Sequence, residues 1–78
     1  MSGISYMTQG GYDKLRSELD ILKTKGRDDA AKAIAEAREK GDLSENAEYD
    51  AAKNAQGMLE LKINDMEKAL ANVRIISE

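Results

Sequence analysis

Hydrophobic positions in the first half of the chain fall at Tyr12, Leu15, Leu19 and Leu22, spaced three, four and three apart. That alternation is the seam of a helix built to pair with another helix. Thr8 stands just ahead of it and suits an N-cap, although Gly10 and Gly11 weaken the first turn. After Leu22 the seam continues through Gly26, Ala30, Ile34 and Ala37, spaced four, four, four and three. Such an irregularity is a stutter, which locally relaxes a supercoil. Lys40-Gly41 then places a cation in the last turn and a glycine just past it, which together stop a helix.

The second half repeats the pattern in reverse, at Ala51, Ala55, Leu59, Ile63, Met66, Leu70 and Val73. Tyr12 with Val73, Leu15 with Leu70, Leu19 with Met66 and Leu22 with Ile63 all have residue numbers adding to 85. So do Gly26 with Leu59, Ala30 with Ala55 and Ile34 with Ala51. A hairpin reversing between Asp42 and Leu43 produces this symmetry. The predicted fold is therefore all-α: a long antiparallel intramolecular coiled-coil hairpin of two helices. Its helices span about 9–40 and about 45–73, with the tip at 41–44. At about 1.5 Å per residue the hairpin should reach roughly 45 Å. Near the chain ends the seam is Leu, Ile, Met and Val; toward the turn it is mostly Ala. Small seam residues suit a slender distal half, and alanine is also simply a good helix former. Val73-Arg74-Ile75-Ile76 reads as the start of a strand with nothing in the chain to pair with it. On this reading the chain looks like the amino-terminal part of a longer protein.

Composition narrows the chemistry. The 78 residues include no His, Cys, Trp, Phe or Pro. Disulfides, thiol nucleophiles and Ser-His or Cys-His pairs are excluded, and a tetrahedral zinc site is strongly disfavoured. No apolar stretch is long enough for a membrane span or a secretory signal, which points to a cytoplasmic protein. The net charge of −3 is unevenly spread. Glu36 to Asp50 holds six acidic against two basic residues, an excess of four negative charges, while the flanking segments are near neutral. Broad nucleic-acid affinity through phosphate neutralisation is therefore not expected.

The acidity centres on the turn, Lys40-Gly41-Asp42-Leu43-Ser44-Glu45-Asn46-Ala47-Glu48-Tyr49. Asp42 and Glu45 are three apart, so both carboxylates can face one side. They fit a variant capping box, with Asp42 as N-cap and Glu45 at the third helical position. They equally suit Mg²⁺, which takes oxygen ligands, keeps several waters and often uses only one or two protein carboxylates. Two acids on an exposed point do not hold such an ion tightly alone. They can contribute to a metal site completed elsewhere.

The segment Gly41-Asp42-Leu43-Ser44-Glu45-Asn46-Ala47-Glu48-Tyr49, preceded by Ile34-Ala35-Glu36-Ala37-Arg38-Glu39, closely resembles the bacterial Gre transcript-cleavage factors. Met7-Thr8 and Leu15-Arg16-Ser17-Glu18-Leu19 match that family's opening. The resemblance covers essentially the whole chain and implies that it is an amino-terminal coiled-coil domain, the family's carboxy-terminal globular domain being absent from it. It implies a transcription elongation factor whose coiled coil enters the secondary channel of RNA polymerase and stimulates cleavage of backtracked RNA, rescuing arrested complexes. Asp42 and Glu45 would be the acidic pair donated to the polymerase active site, sharing a Mg²⁺ there. No cofactor would be bound by the chain alone, and the chain would not itself be the enzyme. Leu43, Ser44, Asn46 and Tyr49 would shape the tip and meet the polymerase. Arg38 and Lys53, with Lys40 adjacent, would form a basic patch near the RNA 3′ end, although ordinary surface charge, including a Glu36–Lys40 pair, explains them as well. Asp28 stands where many family members have proline, so any kink there should be smaller. A channel-binding polymerase inhibitor of the same fold and a plain coiled-coil adaptor are the alternatives. No membrane partner is implied, and the isolated fragment is expected to be able to self-associate.

Overall fold

The computed structural model describes residues 3–42 and 45–77. It is a helical hairpin with principal extents of 55 × 25 × 12 Å. The first arm is one continuous rod made of α1 (Gln9–Ile21), a π-helical segment (Leu22–Gly26) and α2 (Arg27–Glu39). The second arm is α3 (Ala47–Ala71). The all-α hairpin read from the sequence is the fold observed.

Thr8 caps α1 as expected, its Oγ1 accepting the Gly11 N–H at 3.1 Å. Gly41 ends the arm with φ +129°, a conformation that favours glycine. The amides of Lys40 and Gly41 donate to the Ala37 and Arg38 carbonyls at 3.2 and 3.4 Å, closing the last turn.

The core lies in the half near the chain ends. Leu19, Ile63 and Leu70 are buried there, with Tyr12, Leu15, Leu22, Leu59 and Met66 packed around them. This half of the seam follows the mirror pairing, which also holds at Gly26, where an added Cβ would meet Leu59 Cδ1 at 3.4 Å. Nearer the turn, Ile34 and Ala37 alone are buried among the described residues.

The distal register differs from the expected one. Ala51 and Ala55 are exposed, and Tyr49, Ala52 and Gln56 are the half-buried positions of α3. The cause is the π segment, which sits at the stutter. A π turn takes up about one extra residue in the first arm, so Ala30, Ile34 and Ala37 beyond it meet the second arm one position out of the expected register. The second arm has no such turn. Each step of four along a regular helix drifts about 40°, so α3 keeps its face inward by alternating threes and fours instead. Thr24 stabilises the π segment by donating its hydroxyl to the Asp20 carbonyl at 2.8 Å.

A second correction concerns Val73 to Ile76, which does have a partner. β2 (Val73–Ile75) pairs in parallel with β1 (Ser5–Met7), in the register Ser5↔Val73, Tyr6↔Arg74 and Met7↔Ile75. The Ser5 N–H donates to the Asn72 carbonyl at 3.0 Å and the Ile76 N–H to the Met7 carbonyl at 2.8 Å. Parallel strands need a long crossover, and here the entire hairpin is that crossover. The strand pair shortens α3, which ends at Ala71 rather than at 73.

Two ion pairs bridge the arms beside the seam. Lys23 Nζ lies 3.0 Å from Glu67, and Arg27 makes a two-pronged contact with Glu60 at 2.9 Å on each prong. Asp28 sits in regular helix and pairs with Lys32 at 3.2 Å. Among the described residues no helix is long and apolar enough to cross a membrane.

Candidate functional site at the hairpin tip

α3 begins two residues later than the sequence suggested, and its cap is a different residue. Asn46 is the N-cap: its Oδ1 accepts the Tyr49 N–H at 3.0 Å. Its Nδ2 donates to the Ala37 carbonyl at 2.6 Å. One side chain thus satisfies an orphan donor at the start of α3 and gives the Ala37 carbonyl, which already accepts the Lys40 N–H, a second donor at the end of α2. Asp42 is therefore not the N-cap of α3, as the sequence suggested. Asp42 lies before a helix that starts at Ala47, and the Glu45 N–H is 3.4 Å from the Asp42 carbonyl. Glu48 and Asp50 are the acidic residues of the first turn of α3, where the helix dipole favours them.

Two further contacts brace the turn. Lys40 pairs with Glu48 at 2.8 Å rather than with Glu36. The Glu48 hydrogen bond, then its charge, raises the Lys40 ammonium above the ordinary lysine range, and Glu36 adds a smaller push in the same direction. The Arg38 guanidinium lies 5.9 Å from the centre of the Tyr49 ring, a cation–π distance. Asn46–Ala37, Lys40–Glu48 and Arg38–Tyr49 all join the end of the first arm to the start of the second.

On this braced turn Asp42 and Glu45 are both exposed and line one open depression of about 470 Å³, shared with Lys40, Asn46, Ala47 and Glu48. The sequence-nominated acids are therefore together at the far end of the rod. Leu43 and Ser44 lie outside the described residues. The three nominated cations do not form one free patch. Arg38 is engaged with Tyr49, Lys40 with Glu48, and Lys53 Nζ is 3.5 Å from Gln56 Oε1 further along α3.

Among the described residues no group of three or more acidic side chains is gathered closely enough to hold a metal ion. Asp42 and Glu45 supply oxygen donors of the type Mg²⁺ takes, on an open surface that another protein can approach. The donor chemistry fits a shared ion.

Sequence reasoning assigned the tip residues to chemistry and contact, and it missed the capping role of Asn46. The signal was present, since asparagine is among the best N-cap residues. Glu48 as the partner of Lys40 was missed because the pair crosses the turn and no helical spacing points to it.

Comparison with known proteins is consistent across the chain. A family model described as "Transcription elongation factor, N-terminal", covering GreA and GreB, matches residues 5–75. The "Transcription elongation factor GreA" of Christiangramia forsetii is 62% identical over all 78 residues, and that of Flavobacterium psychrophilum is 60% identical over the same span. The protein of the same name from Amoebophilus asiaticus is 50% identical, again over the whole chain. These matches cover 49%, 49% and 50% of the respective relatives, so the chain spans about half the length of the curated proteins it matches.

Proposed function

Because the chain belongs to the GreA/GreB family of transcription elongation factor amino-terminal domains, we propose that it is the probe of such a factor, carrying Asp42 and Glu45 into the secondary channel of RNA polymerase. There the two carboxylates complete a Mg²⁺ site with the polymerase's own ligands and promote cleavage of backtracked RNA. Elongation then resumes from the new 3′ end. The hydrolytic machinery belongs to the polymerase, and the chain acts in the cytoplasm as a stimulator rather than as an enzyme.

One observation carries this reading. Asp42 and Glu45 line a single open depression at the far end of the rod, while the cap of α3 is supplied by Asn46. Asp42 and Glu45 are the residues that would hold the ion. Bound between the two proteins, Mg²⁺ would polarise a phosphate oxygen and help to activate water. Asn46 and the Lys40–Glu48 pair set the position of the acids from behind. Arg38 and Lys53 offer positive charge along the adjacent shaft, where the RNA 3′ segment would pass. Leu43, Ser44, Asn46 and Tyr49 are the tip residues that would contact the polymerase.

The test uses a chimera in which this chain replaces the corresponding half of the Christiangramia forsetii factor, added with Mg²⁺ to a backtracked elongation complex. Cleavage is expected, and Asp42→Asn with Glu45→Gln should lower its rate by about a hundredfold or more while leaving polymerase binding intact. Undiminished cleavage by the double variant would sink the metal-donor mechanism. Binding that slows the polymerase without any cutting would favour a channel-blocking inhibitor. Absence of polymerase binding would favour a plain adaptor.

A further inference from the structure

Along α3, away from the tip and bordering the seam at the half-buried Met66 and Ala69, runs an apolar groove lined by Met58, Leu61, Lys62, Asp65, Met66 and Ala69. Met58 and Leu61 are 66% and 61% exposed, high values for large apolar side chains on a helix whose opposite face is already packed. Lys62 and Asp65 interrupt the stripe with opposite charges. Neither of these two has an ion-pair partner among the described residues.

We propose that this groove is a self-complementary interface through which two copies of the chain pair antiparallel, α3 against α3, about a two-fold axis between Ile63 and Asn64. A two-fold contact must present the same patch from both sides, each residue answered by another of the same patch. The groove meets that demand residue by residue. Antiparallel pairing centred there sets Met58 level with Ala69 of the second copy, Leu61 with Met66, and Lys62 with Asp65. Large side chains come level with smaller or half-buried ones, and both unpaired charges gain opposite partners twice over. A patch of this size is below that of stable interfaces, so the pairing is weak. It leaves the tips at opposite ends and does not depend on the function proposed above.

The test is sedimentation equilibrium of the 78-residue chain, with helicity followed by circular dichroism. A monomer–dimer equilibrium with Kd on the order of 100 μM is expected. Lys62→Glu or Asp65→Lys alone places like charges level and should weaken dimerisation at least about tenfold. Combining the two exchanges the charges and should restore the wild-type constant. Leu61→Lys, at a fully outward position, should leave helicity unchanged and abolish the dimer. A chain that stays monomeric at millimolar concentration overturns the proposal and leaves the groove to a partner of different sequence. A dimer that survives Leu61→Lys, or one not rescued by the double exchange, overturns it as well.

Discussion

The two ends of the hairpin are held together by different means. Near the chain ends, Leu19, Ile63 and Leu70 form a dry cluster, and a two-stranded parallel pair ties the first residues to the last. Near the turn, burial among the described residues is reduced to Ile34 and Ala37, and the arms are joined by a capping amide, an ion pair and a cation–π contact. Apolar burial is worth about 25 cal/mol per Å², whereas exposed polar ties contribute far less each. Stability is therefore concentrated at the base. The distal half trades burial for slenderness and for a turn of defined shape. That division suits a probe, anchored where it is thick and chemically equipped where it is thin.

The sharpest way to break the comparison is to remove matching side chains from each half. Ile63→Ala should cost about 4 kcal/mol, a large share of the stability of so small a domain, and should lower the global melting temperature. Ile34→Ala should cost about 2 kcal/mol, because its neighbours are small and the slender region can close around the loss. Urea titration with a helicity readout measures both. Equal losses would mean that the distal half is as much a core as the base.

Asn46→Ala tests the tip with a smaller effect. It removes both the cap of α3 and the bond to the Ala37 carbonyl, for a cost of about 1–2 kcal/mol. The loss should be local. Hydrogen exchange should quicken at Tyr49 and neighbouring amides of the first turn of α3, with protection around Leu19 and Ile63 unchanged. Uniform quickening along both arms would show that the hairpin opens as one unit and has no separate tip.

Much of this division was legible in the residues. Seam spacing from Tyr12 to Leu22 and from Leu59 to Leu70 identified the base, because large apolar side chains leave few other ways to pack. Thr8 and Gly41 were readable as helix ends because each satisfies a local rule. The distal register was not readable, since alanines on neighbouring faces differ little in what they bury. A π turn in one arm then decided which of them faced inward. The strand pair escaped because Ser5–Met7 is three residues long and its partner is 68 positions away, beyond the reach of any periodicity. At the tip, Asp42 and Glu45 were found correctly as neighbours. Their place in the helix was misjudged, because Asp42 and Asn46 are both good caps and only the geometry of the turn chooses between them.

The smallest effect concerns the charges along the shaft, and its sign follows from the groups involved. The Arg27 hydrogen bond holds the Glu60 carboxyl below its ordinary value, and the Lys25 hydrogen bond does the same for Asp29. A carboxylate with a depressed folded-state value adds stability above its unfolded value, near pH 4, and loses it as the pH falls toward the folded one. Arg27, Lys25 and Lys40 are shifted upward, so their share persists to the alkaline limit of their own titrations. The hairpin should thus be level in stability from about pH 5 to 9 and should weaken modestly below about pH 4. Glu60→Gln should reduce that acid-side decline, and 1 M salt should mimic the variant at neutral pH, since all of these pairs are exposed and easily screened. Thermal melts of wild type and variant at pH 7 and pH 3 make the comparison. An acid-side decline unchanged by Glu60→Gln would move the pH dependence away from the arm-to-arm pair and toward the acidic tip.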